Sequence, residues 1–205
     1  MTRLELKTLS KSQINGSLLT LFFCSLIITI INRILIETTM IVGPIISLIL
    51  MPAFLLGMSN IYINLTYGIK PKIEDTFSGF KNFFKAWALS FLIGVFIILW
   101  SLLLIIPGII KSISYSMSFY ILSENPDIPV NEALNKSKAL MEGHKMEFLV
   151  LQFSFFWWIV LTFITFGFMS IYVTPYIITT NTNFYKSLKE DNVSVEEIKS
   201  IEGEV

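Results

Sequence analysis

The stretch FLIGVFIILWSLLLII, from Phe91 to Ile106, runs for sixteen residues without a charge, and similar runs recur elsewhere in the chain. A helix rises 1.5 Å per residue, so about 20 such residues cross the roughly 30 Å hydrocarbon layer of a bilayer. A short chain has no means of burying this much apolar surface in water. The sequence therefore predicts a polytopic membrane protein.

The composition supports this class. Of the 205 residues, 54% are hydrophobic and 15% are charged, and the mean hydropathy is +0.70. Soluble domains carry about 25% charged residues. Fifteen basic residues balance fifteen acidic ones, so the net charge points to no nucleic-acid partner. Cys24 is the only cysteine and lies within an apolar run, which predicts a buried packing residue and no disulfide.

Six apolar segments predict an all-α fold, a bundle of six transmembrane helices in a single domain over residues 1–186. The fourth segment has 14 residues and covers only about 21 Å, so it is either a short crossing or an interfacial or re-entrant piece. Residues 187–205 form an acidic tail, in which Ser194 and Glu197 have the spacing of a capping box and predict a short separate helix. The six segments are 14–31, 39–66, 86–106, 109–122, 147–166 and 168–185.

The basic residues favour six crossings. If all six segments cross, thirteen basic residues share one side, and only Arg33 and Lys111 remain for the other. This bias predicts cytoplasmic N- and C-termini. It also predicts three tight external turns, at 32–38, at Pro107-Gly108 and at Gly167.

Two cytoplasmic connections have the pattern of amphipathic interfacial helices. Apolar residues follow Ile73 at helical spacing, and a second pattern spans residues 128–142, with Asp127 as its cap and Gly143 at its end. We expect these helices to lie in the lipid headgroup layer and to fix the positions of the spans. The alternative is a docking surface for a partner, for which the candidate residues are Phe77, Phe80, Phe84, Asp127, Lys136, Lys138 and His144.

Polar residues within the apolar segments must face other helices or water. The first interpretation is hydrogen bonding between helices. The alternative is a polar path for a small solute, in which Lys111 would matter most because it is the one basic residue within a predicted span. The candidate lining residues are Asn60, Asn64, Lys111, Ser112, Ser116, Gln152 and Asn183.

The sequence gives little support to an enzyme, so we predict no catalytic residue, no cofactor and no metal site. His144 is the only histidine, and no phosphate-binding glycine loop, GxSxG or HExxH motif occurs. Glu124 and Asp127 lie on either side of Asn125-Pro126 and are interpreted as turn and cap residues.

The segment from Leu99 to Tyr185 resembles a known family. Its most specific parts are Pro107-Gly108-Ile109, Asn125-Pro126-Asp127, Gly143-His144-Lys145 and Pro175-Tyr176. These parts are similar to the bacterial integral membrane family catalogued as domain of unknown function 975, of the Firmicutes type. The resemblance implies a bacterial plasma-membrane protein and supplies no reaction.

Two functions remain open at this point. The first is a non-enzymatic membrane protein that acts through protein or peptide partners, as an accessory to an exporter or as an envelope-stress or peptide-immunity factor. The second is a small permease or channel. Apart from the lipid bilayer, the expected partner is another membrane protein or a peptide.

Overall fold

The fold is all-α, as predicted. The computed structural model describes residues 1–38, 42–103 and 105–202, and within these residues the regular elements are helices. They are α1 (Arg3–Ile14), α2 (Leu18–Thr38), α3 (Val42–Thr66), a 3-10 helix (Ile73–Asn82), α4 (Phe83–Leu103), α5 (Ile105–Ser114), α6 (Ser118–Glu124), α7 (Val130–Leu140), α8 (Lys145–Phe153), α9 (Phe156–Ile164) and α10 (Ser170–Glu202).

Four helical stretches of the described chain are long and apolar enough to cross a membrane: Leu18–Glu37, Val42–Thr66, Ile73–Leu102 and Lys145–Ile164. Many of their large side chains lie on the surface of the protein, and Leu102 and Phe163 are 85% and 80% exposed. Continuous apolar surface of this kind is typical of contact with lipid. The arrangement is compatible with a multi-pass membrane protein.

Two of the six predicted segments are divided. The segment 109–122 is split between α5 and α6 by a turn at residues 115–117, and the segment 147–166 is split between α8 and α9 at Ser154 and Phe155. At both breaks serine hydroxyls donate to carbonyl oxygens three residues earlier, which competes with regular helix geometry. The sequence did not indicate these two breaks, and the number of crossings stays a prediction.

The predicted turns have mixed outcomes. The turn at 32–38 was wrong, because α2 continues to Thr38 and carries an Arg33–Glu37 ion pair of 3.0 Å near its end. The corner at Pro107-Gly108 was also wrong, because both residues lie at the start of α5, where proline is tolerated. The turn at Gly167 is confirmed, since this residue connects α9 and α10 with a φ of +88°.

The 3-10 helix lies directly against α3. A Cβ atom added at Gly79 would overlap the carbonyl oxygen of Ala53, and one added at Gly57 would overlap that of Thr76. These two glycines therefore let the two backbones touch. The predicted placement of this segment in the headgroup layer stays a prediction.

The second connection begins later than predicted. Pro129, not Asp127, is the N-cap of α7, and Asp127 is exposed, so the capping role assigned to Asp127 was wrong. Proline fits because its fixed φ, here −61°, suits a helix start. Gly143, with a φ of +82°, lies in the turn that follows α7.

The buried core lies where α10 passes the second half of α3, α6 and α7, and it includes Tyr62, Met117, Leu122 and Tyr176. Helix α10 runs without a break from Ser170 to Glu202, so no separate helix begins at Ser194. Helix α10 thus begins just after the Gly167 turn and passes the core, and its later turns lie beside α6 and α7.

A candidate binding groove between α7 and α10

Glu124, the last residue of α6, joins three helical segments. Its Oε2 accepts hydrogen bonds from the hydroxyl of Tyr185 at 2.7 Å and from Nζ of Lys189 at 2.6 Å. Its Oε1 lies 3.4 Å from the hydroxyl of Tyr67, just after α3. The Glu124 side chain is only 12% exposed, so solvent screens these contacts less than it would screen a surface pair.

The local sequence explains why these groups meet. Helix α6 ends at Glu124 because the Asn125-Pro126 step disfavours a further helical turn. In α10, Tyr185 and Lys189 are four residues apart and therefore lie on the same face of the helix. A single carboxylate can then accept bonds from both.

Neighbouring lysines attach the surrounding backbone. Nζ of Lys186 lies 3.3 Å from the carbonyl oxygen of Thr66 and 4.0 Å from the centre of the Tyr67 ring, a cation–π contact. Nζ of Lys85 donates to the carbonyl oxygen of Pro126. The ends of α3 and α6 are thus held to α10 and α4 by charge-assisted bonds.

Beside Glu124 lies an open cavity of about 340 Å³, which we call the α7–α10 groove. Its apolar part consists of Ile121, Ala139 and Leu140. Its polar part combines one carboxylate, two ammonium groups, two amides and a hydroxyl, from Glu124, Lys136, Lys189, Asn125, Asn192 and Tyr185.

The groove can both donate and accept hydrogen bonds. Lys136 forms an ion pair of 2.7 Å with Glu132 one turn earlier in α7, and both side chains are about half exposed. Such a pair is weak and can be exchanged for another anion at little cost. Lys189 remains half exposed although it bonds Glu124. The groove therefore offers two accessible cations next to an apolar surface.

The predicted polar lining residues lie at several separate places. Asn60 donates to Ser78 of the 3-10 helix at 3.0 Å and accepts a hydrogen bond from Ser123 of α6. Gln152 donates to Asn181 of α10 at 2.8 Å. Asn183 of α10 donates to Ser10 and Gln13 of α1.

The remaining lining candidates make local contacts. Ser112 and Ser116 donate to carbonyl oxygens of their own chain segment, those of Ile109 and Ile113. Nζ of Lys111 lies 4.7 Å from the centre of the Trp100 ring. Asn64 is partly buried in the last turns of α3. None of the seven candidates lines the α7–α10 groove, and their role as a path stays a prediction.

The predicted partner surface is also divided. Lys136 lines the groove, whereas Lys138 and Asp127 are exposed outside it. His144 precedes α8, and its Nδ1 lies 3.1 Å from Oε2 of Glu147. The aromatic candidates lie elsewhere: the rings of Phe77 and Phe80 contact the ring of Phe54 at 5.8 and 5.0 Å, and Phe84 is exposed on α4.

Sequence reasoning missed the central residues of this groove. Glu124 was interpreted as a turn residue, and Tyr185 and Lys189 were assigned no role. One signal was present in the sequence. Glu124 is an acidic residue at the end of an apolar segment and therefore needs a polar partner. Tyr185 and Lys189 are one helical turn apart, so they share a face that can supply two donors. Among the described residues, no group of three His, Cys, Asp or Glu side chains is placed to hold a metal ion.

Comparison with protein families matches two overlapping parts of the chain, residues 1–114 and 102–192, to the family described as "Protein of unknown function (DUF975)". The chain belongs to this family. The match confirms the predicted resemblance to domain of unknown function 975, whereas the Firmicutes type and the membrane nature of the family stay predictions. The nine residues that line the groove all fall within the second matched part. Comparisons with curated proteins and with solved structures find no match.

Proposed function

We propose that this protein is a non-enzymatic integral protein of the bacterial plasma membrane that binds a polypeptide partner in the α7–α10 groove. The observation that carries the proposal is the combination of an apolar floor, at Ile121 and Leu140, with exposed ammonium and amide groups in one open cavity. An accessory protein of an exporter, or an envelope-stress or peptide-immunity factor, would use such a surface.

The proposal includes six crossings with both termini in the cytoplasm. Four candidate spans come directly from helix length and hydropathy. The other two would be the α5–α6 pair and the first half of α10. The distribution of basic residues, thirteen against two, supports this threading, which puts the groove on the cytoplasmic side.

A polypeptide segment fits the groove better than a small ion. The amides of Asn125 and Asn192 can pair with a peptide backbone, and Lys136 and Lys189 can pair with carboxylates. The apolar part can contact apolar side chains of the peptide. Glu124 is the one carboxylate of the groove, and it is occupied by hydrogen bonds from Tyr185 and Lys189. This structural role favours binding over acid–base catalysis as the function of the groove.

Site-directed photocrosslinking in native membranes tests this proposal. A benzoylphenylalanine at Ala139 lines the groove, whereas one at Asn131 is exposed on the same helix outside it. We expect a crosslinked polypeptide at position 139 and not at position 131, and a lower yield when Lys136 is replaced by alanine. Equal crosslinking at the two positions, or lipid adducts alone at Ala139, would contradict the proposal.

A flux assay tests the permease alternative. The purified protein would be placed in liposomes with a panel of labelled small solutes. Flux that is lost in Lys111→Ala and Asn64→Ala would favour transport over partner binding. We expect no flux above that of empty liposomes.

A further inference from the structure

Ser137 of α7 bonds both sides of the break between α5 and α6. Its hydroxyl donates to the carbonyl oxygen of Ser114 at 2.8 Å and accepts from the backbone N–H of Met117 at 3.2 Å. All three residues are buried, so bulk water does not reach these bonds. We call the two hydrogen bonds the Ser137 bridge. The bridge pairs a backbone acceptor and a backbone donor that the break would otherwise leave buried and unpaired.

The bridge uses backbone groups that a continuous helix would pair internally. In the structure, the N–H of Ser118 donates to the carbonyl oxygen of Tyr115, three residues earlier. In a regular α-helix it would donate to Ser114, four residues earlier. The N–H of Met117 would likewise have a partner within its own helix. The Ser137 bridge and a continuous helix therefore exclude each other.

Ser118 has a hydroxyl that favours the continuous form. It is buried, and among the described residues its Oγ has no hydrogen-bond partner. A serine hydroxyl in a helix can donate to the carbonyl oxygen four residues earlier, as Ser114 does to Ile110 at 2.8 Å. The corresponding acceptor for Ser118 is the carbonyl oxygen of Ser114, which Ser137 occupies. A buried hydroxyl without a partner is unfavourable, and a continuous helix would remove this cost.

We propose that the α5–α6 segment has two forms and that the Ser137 bridge holds it in the broken one. When α7 moves away, Ser118 replaces Ser137 at the carbonyl oxygen of Ser114, and residues 105–124 form one helix. Such a helix of twenty residues is about 30 Å long, which matches the hydrocarbon layer. Elements with two discrete packings of similar energy are a common basis of conformational switches.

Helix α7 connects this switch to the α7–α10 groove. Lys136, Ala139 and Leu140, which line the groove, lie on the same helix as Ser137. A partner that displaces α7 would break the Ser137 bridge and so change the form of a predicted membrane segment. This control by a partner rests on the proposed function, whereas the two forms of the α5–α6 segment do not.

A double-mutant cycle in the full chain tests the exchange between the two serines. Chemical denaturation in detergent micelles would be measured for Ser137→Ala, Ser118→Ala and the double variant. If Ser118 replaces Ser137, Ser137→Ala should lower the folding equilibrium constant about fivefold more when Ser118 is absent, the equivalent of one hydrogen bond. Ser187→Ala is the matched control, because it removes a buried hydroxyl that donates to Phe184 within α10. Its effect should not depend on Ser118, and additive effects of Ser137→Ala and Ser118→Ala would overturn the inference.

Hydrogen exchange of the Met117 amide is the second measurement. In Ser137→Ala this amide should find a partner within its own helix, so its exchange should not accelerate relative to the amides of α4. If the segment has only the broken form, the amide loses its acceptor and should exchange about tenfold faster. That result would also overturn the inference. Because neither measurement involves a bound partner or position 139, the inference can fail while the crosslinking experiment succeeds, and the reverse also holds.

Discussion

The carboxylate of Glu124 and the ammonium group of Lys189 lie 2.6 Å apart, although 65 residues separate them in the chain. This pair fixes the end of α6 to α10 and forms one wall of the α7–α10 groove. Glu124 is nearly buried, whereas Lys189 is half exposed. The two partners should therefore contribute unequally to stability.

Replacing Glu124 by alanine should lower the free energy of unfolding by about 1.5–3 kcal/mol, because Tyr185 and Lys189 both lose a charged acceptor. Lys189→Ala should cost less than about 1 kcal/mol, since this ammonium group keeps its access to water. Thermal unfolding in detergent micelles measures both. If the two variants lowered the free energy of unfolding equally, Glu124 would stabilise the protein only through its ion pair with Lys189.

The contact between α3 and the 3-10 helix gives a second prediction. Gly79→Ala should destabilise the protein by about 1–3 kcal/mol, because the added Cβ would push the backbone of Ala53 away. Gly94→Ala in α4 is the control, since a Cβ there meets no atom within 4 Å, and it should raise stability by up to about 1 kcal/mol. Chemical denaturation monitored by tryptophan fluorescence distinguishes the two. If Gly79→Ala left the free energy of unfolding unchanged, α3 and the 3-10 helix could move apart at this contact without loss of stability.

One amide of α10 bonds two residues of α1. Nδ2 of Asn183 lies 3.0 Å from Oγ of Ser10 and 2.6 Å from Oε1 of Gln13. Asn183→Ala should remove the donor to both acceptors, the buried Ser10 and the partly buried Gln13, at a cost of about 1–3 kcal/mol. We expect faster hydrogen exchange of the α1 amides with little change in α4.

Asn192→Ala is the matched control for this experiment. The amide of Asn192 donates to the carbonyl oxygen of Leu188 in its own helix, so its loss should leave α1 unchanged. If both variants accelerate exchange in α1 equally, the effect would come from α10 as a whole and not from the contact with Ser10 and Gln13.

The apolar pattern predicted the long helices well. Apolar runs indicated α2, α3 and α4 because an uninterrupted run has few alternatives to a buried or lipid-facing helix. The breaks at residues 115–117 and at Ser154 were not predicted. They depend on local hydrogen bonds from serine hydroxyls to carbonyl oxygens, and a single serine changes the mean hydropathy of an apolar segment very little.

The groove was less accessible to sequence reasoning than the helices. The contact of Glu124 with Lys189 depends on how α6 and α10 pack, and the pattern of either helix alone does not contain that information. Asn60 and Asn183 were correctly placed inside the apolar segments. The partner of Asn60, Ser78, comes from the 3-10 helix that the sequence assigned to the membrane surface, and the partner of Asn183, Ser10, comes from α1, for which no contact was predicted.

The threading of the chain can be tested with single cysteines. Cys24 is buried and would first be replaced by alanine. Six crossings with cytoplasmic termini put Asn131, in α7, inside the cell and Phe168, beside the Gly167 turn, outside. Both residues are exposed in the structure. A membrane-impermeant maleimide on intact cells should therefore label Phe168→Cys and should label Asn131→Cys only after the membrane is permeabilised. If the α5–α6 segment does not cross, the chain after it changes sides and this pattern is reversed. The groove would then face the outside, and its proposed partner would have to be sought there.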